Sequence, residues 1–516
     1  MKFRSYIILF AIALLVAGAT VIWQRVPGYM DSEYYYVTGM QLINGEGFSE
    51  PFLWNYLDGF YGIPHPSHTY WMPLTSILSA VGMWFAQNTH YFYGRILFVV
   101  MSAFLAPISA HLAVRYSGKQ TSFWLGGFLA ACPGMFIVFS SVTDSTVPVM
   151  LLGGLILLIA DPKTWVSDSR EKKYFKVFFL GLLAGSMHLA RADGVIWLVG
   201  LIFWGISVIY QNRKLETNNF RVGIAYLALL ILGYGLIMFP WYNRNISLYG
   251  QIFPLNSNRM LWVTNYNQTF TFYPESLTIN SWLQAGWPHH FEAWFSAITA
   301  NLGNLLAIQG SVILLPISLI GIFSNRRRSG IILFVSLWVF IFLAMTFVFP
   351  YAGARGGYLH SASAMQILIW ALVPAGLIKI LNWGKRVRGW KPITAYHVFA
   401  AGLILRQVSW TFWFYTTRVI GGDWKQPVWS KSYNIASELG VDIQQLGFEP
   451  NDIGMVNNPP GYFLATNLRS AVIPGGGLEE TMAASKKLNA KYIIIEKNQE
   501  NLIDLYQNPG SHENLT

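Results

Sequence analysis

The chain alternates between long apolar runs and short polar, mostly basic breaks. Runs of 15 to 24 residues rich in Leu, Ile, Val, Phe and Trp occupy residues 5–23, 95–114, 120–140, 146–160, 176–191, 194–210, 222–240, 301–323, 330–349, 358–381 and 393–415. A helix of about 20 residues spans the roughly 30 Å of bilayer hydrocarbon, a length most of these runs approach, and only a helix satisfies its own backbone there. The pattern therefore predicts a polytopic α-helical membrane protein with about eleven transmembrane helices. The apolar segment Pro73 to Ala86, 14 residues long, is short for a crossing and reads as a re-entrant or interfacial helix. At the start, Lys2 and Arg4 precede apolar Tyr6 to Trp23, and Gln24 to Pro27 lacks a small-residue cleavage pattern. An uncleaved signal anchor is expected.

Loop charges orient the map. Basic clusters at Arg115 to Lys119, Lys163 to Lys176, Arg213 to Arg221, Arg326 to Arg328 and Lys385 to Lys391 assign those loops to the cytoplasm. Four segments then face outward: the first loop, 24–94, the turn around Asp144, the loop from Trp241 to Ala300, and the turn Tyr351 to Gly357. Residues from about Arg418 also lie outside, and beyond Asp423 the long apolar runs cease. Helix patterns at Val428 to Leu446 and Leu478 to Leu488 alternate there with strand patterns at Asp452 to Val456, Ala471 to Ile473 and Lys491 to Glu496. The expected division is a membrane domain, 1–417, and a small extracytoplasmic α/β domain, 418–516. The glycines at 475–477 suit a plain loop better than a phosphate cradle.

Composition narrows the class. With 53% hydrophobic, 16% aromatic and 11% charged residues, the chain is not a soluble enzyme. The formal charge of +11 comes from loop residues that set topology, so a nucleic-acid partner is not expected. Cys132, the one cysteine, can form no intramolecular disulfide.

In so apolar a chain, ionisable groups at the outer face are the candidates for chemistry. Asp31 and Glu33 directly follow the first run, and either suits a general base or a metal ligand. His65 and His68 lie at the end of the same loop and suit phosphate, sugar hydroxyls or a cation. Asp144 interrupts two apolar runs, where it equally suits a helix N-cap before Val147-Pro148. Arg191, Arg244 and Arg355 fall at outer helix ends, against the usual charge bias. Their forked guanidinium groups suit phosphate oxygens, although Asp193 also offers Arg191 an ion pair. Arg406, inside the last run, is a weaker candidate of the same kind. The loop from Trp241 to Ala300 is dense in Trp and Tyr, which suit sugar rings but also populate any membrane interface.

The order of these elements is recognisable: an acidic pair after the first helix, a His- and Pro-containing stretch ending the first loop, an outer aspartate, then Pro240-Trp-x-x-Arg-Asn245 and Arg355-x-x-Tyr358. It resembles the GT-C superfamily of integral-membrane glycosyltransferases (family 39-like), in particular bacterial relatives of dolichyl-phosphate-mannose protein mannosyltransferases and of the lipid A aminoarabinose transferase. The likeness runs over residues 1–380. It implies a prokaryotic plasma-membrane enzyme that transfers a sugar, with inversion, from a polyprenyl-phosphate donor to an acceptor on the extracytoplasmic face. The acceptor class, whether protein, lipid or glycan, stays open.

By the same resemblance, Asp31 matches the first-loop catalytic aspartate and Asp144 the second acidic position, while Arg191, Arg244 and Arg355 share the donor phosphate. Glu33, His65 and His68 join the substrate-binding set. Met72-Pro73-Leu74 replaces the usual Pro-Pro-Leu, which moves the local phosphate contact to His65 or His68. Some relatives need a divalent cation and others do not, so a metal stays open here. The competing readings are a lipid-linked saccharide transporter or flippase and a non-catalytic scaffold of the same fold.

Overall fold

The computed structural model describes residues 2–212, 219–497, 499–508 and 510. Each apolar run is helical: Phe3–Thr20, Ile96–Ser117, Ser122–Ala131, Thr146–Ile159, Arg170–Ala190, Val195–Asn212, Asn219–Tyr249, Trp287–Gly303, Leu314–Ser324, Ser329–Leu343, Gln366–Arg388 and Pro392–Tyr415. Among the described residues, five helices are long and apolar enough to cross a membrane, or six when one sharply bent pair counts as a span. The remaining runs fold into shorter or more charged helices, such as the 10-residue Ser122–Ala131. The chain is a multi-pass membrane protein. Leu74–Ala86 forms a 13-residue helix, as its short apolar run predicts. Arg213 and Lys214, in one of the basic clusters, lie outside the described residues.

The Gln366–Arg388 helix is central. It is buried on all sides from Gln366 to Leu377, which is why its sequence is apolar all round instead of striped. Neighbours approach it backbone to backbone: a methyl group added at Gly376 would fall 1.8 Å from the Ile317 carbonyl oxygen. Small residues let membrane helices pack in this way where no hydrophobic force drives them together.

Helix Trp287–Gln309 and helix Leu314–Ser324 meet at 88°. The chain turns through Ser311 and Val312, both at positive φ (42° and 61°). That break frees backbone groups at membrane depth, and buried side chains take them up. Arg406 donates to the Ser311 carbonyl, and Gln366 Nε2 to the Gln309 carbonyl at 3.0 Å. Arg406 thus has a structural partner inside the helix bundle.

Outside the bundle, a four-stranded parallel sheet runs in the order β2 (Phe52–Leu53), β5 (Ser470–Val472), β4 (Gly454–Val456), β6 (Tyr492–Ile493). β4, β5 and β6 come from the C-terminal segment, with helices Lys431–Gln445, Pro459–Thr466 and Leu478–Leu488 between and around them. β2 comes from the first loop, so one sheet joins two segments more than 400 residues apart in the chain. Leu53 and Tyr56 enter the same core as Met455, Ala471 and Val472.

The first loop is also closed on itself. β1 (Ser49–Glu50) pairs antiparallel with β3 (His65–Pro66). Its interior holds a buried imidazole between two buried carboxylates, with His65 Nδ1 3.2 Å from Glu50 and Nε2 3.0 Å from Asp58. Burial alone would strip the ring of its proton, but Asp58 and Glu50 outweigh it and raise His65 to about 10. His65→Phe would leave two buried carboxylates without their cation, a loss of about 3–5 kcal/mol. Thermal unfolding in detergent should show a clearly lowered midpoint for that variant. The triple replacement Glu50→Leu, Asp58→Leu, His65→Phe should be milder than His65→Phe alone; equal loss in both would mean packing, not charge, holds the loop.

Candidate active site

Helix Met30–Ile43 follows the first helix, Phe3–Thr20, after a short connection, and its first turn carries both Asp31 and Glu33. Carboxylates there complement the positive end of the helix dipole. The next residue fixes the helix against the turn that holds Asp144: Thr143 Oγ1 donates to the Ser32 carbonyl at 2.8 Å, and the two hydroxyls lie 3.0 Å apart.

Asp144 is 1% exposed. Its Oδ1 accepts from the Thr146 amide at 2.7 Å and from the Thr146 hydroxyl, so it does secure the start of helix Thr146–Ile159. Its Oδ2 is buried with no hydrogen-bond partner. His360 faces it from the other side, with Nδ1 3.4 Å from Asp144 Oδ1 and 2.9 Å from Thr146 Oγ1. One ligand atom each from Asp31, Asp144 and His360 lie within 4.8 Å of one another.

The two carboxyl groups differ in character. Burial raises Asp31 to about 6 against the pull of His360, with Asp144 adding to the rise and Arg191 opposing it. Burial also acts on Asp144, but His360 and the Thr146 hydrogen bonds overcome it and hold this carboxyl well below the usual range. Asp144 is thus favoured as the anion, while Asp31 is the more readily protonated of the two. That division suits paired acid–base work.

The other sequence candidates take up different positions. Arg191 pairs with Asp193 at 2.9 Å, as its spacing suggested, and also donates to Ser361 Oγ at 3.0 Å, next to His360. Glu33 is 2% exposed and accepts from Asn458 Nδ2 at 2.8 Å. Burial raises Glu33 to about 7 against that hydrogen bond, with Asp31 adding to the rise. His65 is committed to Glu50 and Asp58. His68 is buried between Ser67 Oγ (2.7 Å) and Ser76 Oγ (2.9 Å), and burial, with Arg244 nearby, keeps its pKa well below the usual value.

Arg244 lies over the Trp241 ring, 4.5 Å from its centre, and donates through Nη2 to the Phe48 and Ser67 carbonyls. Its Nη1 is buried without a partner. The residue lines a cavity of about 760 Å³ whose walls are otherwise mostly apolar, including Ile77, Leu189, Ile237 and Leu248. Arg355 lies 4.1 Å over the centre of the Tyr266 ring, in the turn where Gly356 adopts φ 106°. The cluster therefore unites Asp31 and Asp144 with Arg191 at its edge, while Arg244 belongs to the apolar cavity.

Sequence reasoning did not single out His360 or Thr146. His360 sits in Tyr358-Leu-His-Ser361, a polar break at the mouth of an apolar helix. The same criterion that selects Asp144, an ionisable group at an outer helix end, would have selected it.

No protein-family model and no curated protein matches the chain. Solved structures do. The oligosaccharyltransferase of Archaeoglobus fulgidus, tethered to an acceptor peptide, is similar with a TM-score of 0.57 at 13% identity, over 95% of this chain and 69% of that one. A second structure of that archaeal enzyme, AglB, with an inhibitory peptide and a dolichol-phosphate, gives 0.55 at 12% identity, over 96% and 70%. ArnT from Cupriavidus metallidurans bound to undecaprenyl phosphate gives 0.55 at 14% identity, over 95% of this chain and 90% of that one. The chain shares its fold with these membrane-protein structures.

Proposed function

We propose that the protein is a membrane glycosyltransferase that moves a sugar from a polyprenyl-phosphate donor to an acceptor on the extracytoplasmic face of a prokaryotic plasma membrane. The observation that carries this reading is the convergence of Asp31, Asp144 and His360 from three distant parts of the chain. It is supported by neighbours of the same fold that are described with dolichol-phosphate, undecaprenyl phosphate and an acceptor peptide.

In this reading the acceptor oxygen attacks the anomeric carbon as the bond from that carbon to the phosphate oxygen breaks, which inverts the centre. Asp31 takes the acceptor's proton, and the polyprenyl phosphate departs with the bonding electrons. Arg191 supplies positive charge near the reacting centre. Arg244, which lines a largely apolar cavity and keeps one buried donor without a partner, suits a phosphate joined to an isoprenoid chain. Arg355 and the Tyr266 ring beside it offer a further cation and an aromatic face to the donor. A transporter reading would draw on the broken helix at Ser311, but the carbonyl freed there is already taken by Arg406.

The cluster also fits a divalent cation. One imidazole nitrogen and two carboxylate oxygens suit such an ion, and Asp144 Oδ2 is a buried acceptor without a partner. The archaeal oligosaccharyltransferase has been solved in complex with Zn and sulfate. A cation held by Asp31, Asp144 and His360 would neutralise charge on the phosphate or the acceptor.

Purified protein given radiolabelled polyprenyl-phosphate monosaccharides and candidate acceptors should transfer label. Asp31→Asn should abolish transfer while its melting profile stays that of the wild type; full activity would remove Asp31 from the mechanism. Because Asp31 must be ionised to accept a proton and titrates at about 6, kcat/KM should rise from about pH 5 to 7 and then level off. Manganese titration followed by electron paramagnetic resonance should show one bound ion in the wild type and none in His360→Ala. Equal binding by both would discard the cation site.

A further inference from the structure

The Asn458-Pro-Pro-Gly461 motif abuts the helix that carries Asp31. Asn458 uses both ends of its amide. Its Oδ1 accepts from the Gly461 amide at 3.3 Å and caps helix Pro459–Thr466, whose first two residues are prolines with no N–H to satisfy. Its Nδ2 donates to Glu33 Oε2 at 2.8 Å, so the Glu33 carboxylate sits at the positive end of that helix. The approach is close: a methyl group added at Gly461 would fall 2.6 Å from Glu33 Oε2. Glu33 is two residues from Asp31 in the first turn of the same helix, and Ser32 between them is tied to Thr143. The first turn is therefore gripped on one side by the turn of Asp144 and on the other by the C-terminal segment.

We propose that Glu33 and Asn458 form a positioning strut, through which the C-terminal segment holds Asp31 in register with Asp144 and His360. The catalytic part of this inference rests on the transferase reading of that cluster; its structural part does not. Glu33 is then a positioning residue, and a shift of the C-terminal segment would reach the reacting groups through the Asn458–Glu33 hydrogen bond, beside the packing of Phe463 and Leu464 on the same helix. The same sheet that seats Asn458 is completed by β2 of the first loop, so the strut is anchored on a surface the first loop helps to build.

The test reverses the hydrogen bond. Asn458→Asp keeps an oxygen to cap the Gly461 amide but removes the donor and sets two carboxylates face to face. Glu33→Gln in that background restores a donor–acceptor pair with the roles exchanged. For Asn458→Asp, amide hydrogen exchange should speed up in residues 30–43 while β4 and β5 stay protected, and kcat should fall about tenfold with the donor KM little changed. The double variant should recover slow exchange and most of kcat. Unchanged exchange in Asn458→Asp, or no recovery in the double variant, overturns the strut. A wild type without transferase activity but with the expected exchange pattern would retain the strut and reject the transferase reading instead.

Discussion

Two carboxyl groups brought within a few ångströms in a buried site repel each other strongly, because little water is present to screen them. The arrangement of this protein follows from meeting that constraint at Asp31 and Asp144. His360 supplies an imidazole against Asp144, and the Thr146 amide and hydroxyl donate to its Oδ1. Arg191 adds a cation whose own charge is partly balanced by Asp193. The outcome is asymmetric. Asp144 is stabilised as an anion, and Asp31 is left as the group that can gain or lose a proton.

Holding such a cluster together requires a stiff frame, since each member comes from a different element. The membrane helices provide part of it through close backbone packing and a central helix buried on all sides. The rest lies outside the bundle. The first loop contributes a strand to the C-terminal sheet, closes its own hairpin around the Glu50–His65–Asp58 triad, and carries the helix that presents Asp31. A loop that only connected two spans would not need a buried ion triad. In the transferase reading, the same triad stiffens the loop that presents Asp31.

How much of this was legible in the sequence depended on the range of the interaction. Apolar runs announced helices because their length and composition are local properties. Asp31 and Asp144 stood out because a charge beside hydrocarbon is costly wherever it occurs. The partners that explain other residues are not marked by any local pattern. Glu50 and Asp58 lie in the same loop as His65, but no helix or strand period ties them to it, and so the ring read as a ligand for phosphate or sugar. Phe52–Leu53 is too short for strand periodicity to register, so the sheet's shared origin was invisible. The break at Ser311 was hidden inside one continuous apolar run, and its partner Arg406 looked like a phosphate ligand because the carbonyl it serves lies 95 residues away.

Fold and chemistry also part company in the comparisons. At 12–14% identity, the shared architecture with archaeal oligosaccharyltransferase and with ArnT speaks to how the helices are arranged and says nothing directly about which side chains react. The functional reading therefore stands on this chain's own cluster and on its charges. The three candidate arginines have three different surroundings: Arg191 is hydrogen-bonded at the acidic cluster, Arg244 lines an apolar cavity and keeps a buried donor without a partner, and Arg355 lies on a tyrosine ring. A ligand with a phosphate, an apolar tail and a polar ring has a feature to match each of those settings. A purely polar or a purely apolar ligand would leave at least one of them unmatched.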